Sequence, residues 1–324
     1  MKTTEPITYY RNNDYPVCLP TTYLPHHNPI QHANAAFVIL LTHQTNQTTV
    51  LETVHNIQDK FNRNFNYPFV FLANQLLDET VKSNILSIVP NVTFGFIPPE
   101  QWSYPAWIDQ EKQSYKSINN STDLESDQRM ARYYSGFFFD HPLLQEYDWY
   151  WRIEPGSKLL CDITYDPFLY MEKTNKQYGF VLTSPQNRHS TLQAYVGSYT
   201  ASRRIQPKDH TLFPYVTNTA CQFLSDFEIG SLNVWRNATY RDFFQYLDQT
   251  GNFFYEFWSD ASVHSLAAGL FLDKEQIHYF EDIGYQCSTH HHCPLSNTLN
   301  CRCTCPVTRT DHAKNTCISY WKAL

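Results

Sequence analysis

Tyr147–Phe168, YDWYWRIEPGSKLLCDITYDPF, is the stretch on which the reading of the fold turns. Trp149, Trp151 and Ile153 alternate with Tyr150 and Arg152, a period of two that predicts a strand with one face suited to burial. Pro155 donates no ladder hydrogen bond and biases Glu154 toward an extended conformation, so the strand stops at a carboxylate. Gly156 then permits a tight turn. Asp162 and Asp166 bring the acids to three within thirteen residues, and Asp166-Pro167 reads as a helix start with Asp as cap. A carboxylate at the end of a buried strand faces the crevice where α/β proteins bind ligands. The plainer alternative is a strand end carrying solvated acids.

A strand–helix rhythm precedes this stretch. AAFVILL (residues 35–41) is a short apolar run suited to a buried strand. Val50, Val54, Ile57 and Phe61 recur at helical spacing, Tyr67 to Leu72 reads as a second strand, Leu76 to Val89 as a second helix, and Val92 to Ile97 as a third strand. That order predicts a parallel sheet with crossover helices. No G-x-G-x-x-G and no P-loop is present, so a bound nucleotide's phosphates would need a metal or cationic side chains. After the central stretch, Pro167 to Thr174 reads as a short helix and Tyr178 to Leu182 as a strand. Thr183 to Thr219 reads as one long irregular segment, usually a functional feature. Asp226 to Arg236 reads as a strand carrying Glu228, Thr239 to Gln249 as a helix closing at Gly251, Ser259 to Leu272 as a helix, and Ile277 to Phe280 as a closing strand.

Aromatic residues make up 16% of the 324, which indicates a packed globular chain. The balance of 24 basic against 31 acidic residues, with no basic stripe, speaks against nucleic acid as a partner. The longest apolar run, Ala35 to Leu41, is too short to span a bilayer. No secretory signal opens the sequence, which leaves a cytosolic chain or one whose N-terminal anchor lies outside it. Five of the nine cysteines (Cys293, Cys301, Cys303, Cys305 and Cys317) crowd the last 32 residues, and sequons stand at Asn46, Asn91, Asn119, Asn120 and Asn237. Both features favour an oxidising lumen. CRCTC lacks the C-x₂-C spacing usual for zinc, so disulfides are the expectation for the tail. Nine is odd, so at least one thiol stands outside the intramolecular pairs.

YWRIEP, CDITYDPF, YGF, DFEIGSLNVWR, GNFFYEFWSDASVHSLAAGLFL and IHYFEDIGY, in that order, together with SGFFFDHPLLQEYDWYWR upstream, resemble the fungal α-1,2-mannosyltransferases of glycosyltransferase family 15. The resemblance runs from about His32 to Pro294. It implies a single GT-A type α/β domain over residues 32–294, with a mixed, mostly parallel central sheet flanked by helices. An extended arm (1–31) and a cysteine-rich tail (295–324) packed on the domain complete the expected organisation. It also implies a GDP-mannose donor, a mannose-containing glycan acceptor, Mn²⁺, retention of anomeric configuration, a role in protein glycosylation, and a type II anchor with the domain in the Golgi lumen.

Residue by residue, Glu228 in DFEI matches the glutamate of the family's NFEI, its proposed nucleophile; retaining transfer asks for a carboxylate that attacks or stabilises an oxocarbenium-like carbon. On that match, Glu228→Gln is expected to abolish transfer and leave folding nearly intact. Glu154 matches the glutamate of the family's EPD, with Gly156 in place of the aspartate. Arg152 could pair with phosphate or with neighbouring acids. Asp260 and His264 match GDAPVHS, where the aspartate lines the active site; His264 reads as a satisfied helix histidine. The family's metal ligands, a glutamate after YGF and a histidine in GY-x-H-P, fall on Gln186 and Cys287, an amide and a thiol less suited to Mn²⁺. His290, His291 and His292 stand nearby as possible replacements. Two other readings remain open: a divergent member with a decayed metal site acting as a glycan-binding or escort protein, and a mannosylphosphate transferase.

Overall fold

The computed structural model describes residues 32–111, 122–185, 191–206, 212–288, 290–294, 302–305 and 316–324. The arm expected over 1–31 and the position of Gln186 fall outside them. A seven-stranded sheet runs through the middle, formed in chain order by β1 (Ala35–Leu41), β2 (Phe69–Ala73), β3 (Val92–Phe96), β4 (Trp149–Ile153), β6 (Tyr178–Phe180), β9 (Phe227–Ser231) and β10 (Ile277–Tyr279). Smaller sheets use β5 (Lys158–Leu159), β7 (Thr183–Pro185), β8 (Cys221–Phe223), β11 (Tyr285–Cys287) and β12 (His290–His292). The large sheet has the order β10-β6-β9-β4-β1-β2-β3. Every neighbouring pair in it is parallel except the two made by β9, which runs against β4 and β6. The sheet is therefore mixed and mostly parallel.

The apolar runs explain the layering. In β1, Ala36, Val38 and Leu40 enter one core while Phe37, Ile39 and Leu41 enter the other, as a strand covered on both faces requires. Helices α1 (Gln47–Lys60) and α2 (Glu79–Ile88) cover the second core with Val50, Val54, Ile57, Val81 and Ile85. Helices α3 (Thr122–Gly136), α4 (Ala238–Asp248) and α5 (Asp260–Phe271) cover the first. α5 is almost wholly buried and starts on Ser259, whose Oγ accepts from the Ser262 amide at 3.2 Å.

Four expectations change. β4 buries both faces, because Tyr150 and Arg152 are as enclosed as Trp149 and Trp151. Asp226–Arg236 is not one strand: it divides into β9 and a helical turn, Leu232–Arg236, whose Arg236 holds the carbonyls of Phe139, Leu144 and Tyr147. The segment from Thr183 to Thr219 contains a twelve-residue helix, Leu192–Arg203, burying Leu192, Val196 and Tyr199 at i, i+4 and i+7. Gly251, with φ of 74°, opens the next short helix, Asn252–Tyr255, and does not close α4.

The tail is stapled to the rest. Disulfides join Cys161 to Cys303, Cys221 to Cys317 and Cys293 to Cys305, while Cys287 is a free, buried thiol. Trp321 of the terminal helix α6 (Thr316–Ala323) packs edge-on against Phe180. Among the described residues, no helix is long and apolar enough to cross a membrane.

Candidate active site

β1 and β4 are adjacent and parallel, so their carboxyl ends open on the same edge of the sheet. A cleft of about 240 Å³ lies there, walled by Leu40, the polar loop Thr42–Asn46, Thr49 of α1, Met130 of α3, and Glu154 with Pro155. Asn46 caps α1 by accepting from the amides of Thr48 and Thr49. Of the three acids that the central stretch supplies, only Glu154 lines this cleft. Asp162 pairs with Lys60 at 2.9 Å, and Asp166 accepts from the Leu169 amide and the Tyr67 hydroxyl. Those two are structural.

Alternate residues of β4 share a face, so Tyr150, Arg152 and Glu154 project together. The Arg152 guanidinium lies 3.5 Å over the ring centre of Tyr134, is ion-paired to Asp260, and reaches Glu154 at 3.3 Å. Asp260 in turn accepts from Ser225 Oγ at 2.6 Å. Arg152 is buried and committed to two carboxylates. Arg203 is likewise committed, to Asp242.

Glu228 sits directly across from Arg152 in the β4–β9 ladder and is 0% exposed. Its Oε1 accepts from the Tyr150 hydroxyl and its Oε2 from the Tyr178 hydroxyl at 2.8 Å, with His264 Nδ1 3.0 Å from Oε2. Trp235 Nε1 donates to the Tyr150 oxygen at 2.7 Å, and its ring stacks on His264 at 4.2 Å. Gly230 makes room for Tyr150, since a Cβ there would lie 2.8 Å from Cε1 of that ring. His264 is thus a partner of Glu228, as well as a core histidine of α5.

Burial works against the Glu228 charge, but His264, Arg152 and the Tyr150 hydrogen bond outweigh it and hold its pKa below the usual range. Burial also opposes the Asp260 charge, and Arg152, His264 and Ser225 outweigh it in the same direction. Glu154 is pushed the other way, to about 7, by burial and by repulsion from Asp226 and Asp260, with Arg152 opposing. Its side chain still keeps 23% of its surface exposed. Asp226 is raised by burial and by Asp260. The Cys287 thiol is pushed up to about 12 by burial and by the charges of Asp226 and Glu154. A neutral, soft thiol is a poor partner for Mn²⁺.

The structure therefore gathers Arg152, Glu154, Glu228 and Asp260 at one edge of the sheet, with Cys287 beside Asp226 and Glu154. Sequence reasoning passed over Tyr150, Tyr178, Ser225 and Asp226. The period of two that puts Tyr150 beside Arg152 also puts Asp226 beside Glu228, so both were open to that reasoning; Tyr178 and Ser225 carry no comparable signal.

A mostly parallel sheet with an acid-walled cleft at its carboxyl edge and no glycine-rich phosphate loop is the GT-A arrangement. The chain belongs to the family described as glycolipid 2-alpha-mannosyltransferase, which matches residues 10–324. It is 41% identical over 272 residues to the glycolipid 2-alpha-mannosyltransferase of Saccharomyces cerevisiae, covering 78% of this chain and 62% of that protein. It is 40% identical over 276 residues to glycolipid 2-alpha-mannosyltransferase 2 of Candida albicans, covering 81% of this chain and 60% of that protein. The chain thus spans somewhat less than two thirds of the length of these relatives. Among solved structures it resembles the mannosyltransferase Ktr4p of S. cerevisiae in complex with GDP, with a TM-score of 0.81 and 30% identity over 90% of this chain and 82% of that one. It also resembles core-mannan synthase A of Aspergillus fumigatus in its Mn/GDP form, with a TM-score of 0.80 and 29% identity over 95% and 86%.

Proposed function

We propose that the protein transfers mannose from GDP-mannose to a hydroxyl of a mannose-containing glycan, with retention and in α-1,2 linkage. The observation that carries this reading is the Glu154-walled cleft at the carboxyl ends of β1 and β4, in a fold shared with a mannosyltransferase solved with GDP. A diphosphate leaving group gathers negative charge as the sugar departs, and Mn²⁺, when bound, supplies the Lewis acid that meets it. Of the donors at this edge, the carboxylates of Glu154, which lines the cleft, and of Asp226, whose charge acts on Glu154, suit a hard cation, and the Cys287 thiol does not. Arg152 and Arg203 are already paired to carboxylates, so neither is free to take that load.

The chain's own residues divide the remaining work. Asp260 holds Arg152, and Arg152 holds Glu154 at the cleft wall. Glu228 is kept ionised, as a nucleophile or charge stabiliser must be, but contact with an anomeric carbon requires one of its three donors to move aside. The disulfides support an oxidising compartment, and the reading places the domain in the Golgi lumen behind an N-terminal membrane anchor; protease protection of the full-length protein in sealed microsomes tests that. For the donor, calorimetric titration with GDP in Mn²⁺ and in EDTA is decisive. Binding that needs Mn²⁺ and weakens at least tenfold in Glu154→Gln is expected. No GDP binding under either condition would remove the reading.

A further inference from the structure

The large sheet ends on β3, and among the described residues β2 is its only strand neighbour. The Asn91 carbonyl accepts from the Phe69 amide, and the Ile97 amide donates to the Ala73 carbonyl. In a parallel ladder a residue turns both main-chain groups to one side. Asn91, Thr93 and Gly95 therefore face β2, and Val92, Phe94 and Phe96 face outward. His141 Nε2 lies 3.3 Å from the Phe96 carbonyl. No described residue bonds to the outward groups of Val92 and Phe94.

An open edge of this kind pairs with other chains unless charge, proline or a covering element blunts it. VTFGF (Val92–Phe96) holds no charged residue and no proline. Val92 and Phe94 only skirt the second core, Phe94 stacking on Phe71 with ring centres 5.6 Å apart, and Phe96 is 47% exposed. The same strand begins with a sequon, Asn91-Val92-Thr93. Asn91 and Thr93 are both exposed, and being two apart they project from one face, opposite to Val92 and Phe94. The other two sequons among the described residues have other tasks. Asn46 and Asn237 cap helices, accepting from the amides of Thr48 and Thr49 and of Thr239. Asn46 also lines the cleft, so a sugar on it would stand in the mouth. Asn91 neither caps a helix nor lines the cleft.

We propose that Asn91 carries an N-linked oligosaccharide, and that this oligosaccharide shields the edge of β3 from a second copy of the chain. The proposal rests on the lumenal reading above, which exposes the chain to a lipid-diphosphate-linked oligosaccharide. The Asn91 amide nitrogen attacks C1 of that donor. A C–N bond forms, the C1–O bond breaks, the lipid diphosphate leaves, and the amide proton passes to solvent. The sugar is bulky and solubilising, and it is rooted one residue before Val92. It therefore stands beside the unpaired groups and does for this edge what a lysine or proline does elsewhere.

The test expresses the intact protein through a eukaryotic secretory pathway. Peptides treated with peptide N-glycosidase in H₂¹⁸O are mapped by mass, and self-association is followed by sedimentation velocity. Asn91 is expected to take up the label in most molecules, and the glycosylated protein to stay monomeric. Asn91→Gln, and separately the folded protein stripped of its sugar, should self-associate at least roughly tenfold more tightly with the same melting midpoint. Thr93→Ser keeps the sequon and should behave as the unmodified protein does. An unlabelled Asn91 in a protein that carries sugar at Asn46 or Asn237 overturns the proposal and leaves the lumenal reading standing. Unchanged association in the stripped protein overturns it too. Sugar at none of the three removes both.

Discussion

Replacing Glu228 by Gln tests the buried network most sharply. The carboxylate is fully enclosed and takes hydrogen bonds from Tyr150, Tyr178 and His264. Each hydrogen bond to a charged group contributes about 1.5–3 kcal/mol. Gln keeps one acceptor oxygen and presents an NH₂ in place of the other, so the hydroxyl and imidazole on that side must turn to accept, and the charge that strengthened all three bonds is gone. Removing one partner of a buried charged set costs about 3–5 kcal/mol. At about 2–4 °C per kcal/mol for domains of 150–250 residues, the midpoint should fall on the order of 10 °C. The expectation from sequence, that folding stays nearly intact, does not survive this burial. Thermal melts monitored by intrinsic fluorescence, paired with urea titration, check it. Tyr178→Phe, which removes one donor and keeps the carboxylate, should fall by a smaller amount. The three partners form one network, so the single losses should not add. A Glu228→Gln midpoint within about 2 °C of the unmodified protein would refute the network. It would also free Glu228 to be read from activity alone, which the destabilised variant does not permit.

Gly230→Ala should destabilise by about 1–3 kcal/mol through overpacking, because its Cβ would lie 2.8 Å from the Tyr150 ring; a neutral midpoint in urea would contradict this. Cys287, buried with its thiol pushed up to about 12, should resist iodoacetamide at pH 8 in the folded protein and react in urea. Labelling before unfolding, or a disulfide at Cys287 in non-reducing mass mapping, would contradict that. Burial, then the Lys176 charge, lower His278 to about 3, so it stays neutral when folded but takes a proton when unfolded. Stability should therefore fall as pH drops from about 6.5 toward 3, by at most about 1.4 kcal/mol per pH unit from this group. His278→Gln should flatten that slope, and an unchanged slope would sink the idea.

The sheet was legible because burial on both faces leaves a plain mark: AAFVILL can be little else than a central strand. β4 was legible on one face only. Tyr150 and Arg152 read as the outward, polar side, yet α3 and α5 cover them and turn that side into the buried floor of the site. Burial of polar residues depends on partners distant in sequence, and here Asp260, 108 residues on from Arg152, is one of them. The same holds for Glu228. Its motif was visible, but its enclosure depends on Tyr178, 50 residues before it, and His264, 36 after. The helix Leu192–Arg203 was missed for a local reason: Gly197 and a run of small polar residues mask its buried triplet. The place of His290 opposite Cys287 depends on a hairpin too short for periodicity to reveal.

The most direct measurement is transfer itself: the protein with GDP-mannose, Mn²⁺ and methyl α-mannoside, GDP release followed with time, and the disaccharide read by nuclear magnetic resonance. Stoichiometric GDP release with an α-linked product on the 2-hydroxyl, lost in Glu154→Gln, is the expected result. A β-linked product, or no product at all from a protein that binds GDP and Mn²⁺, would contradict the assignment of this cleft to retaining mannosyl transfer.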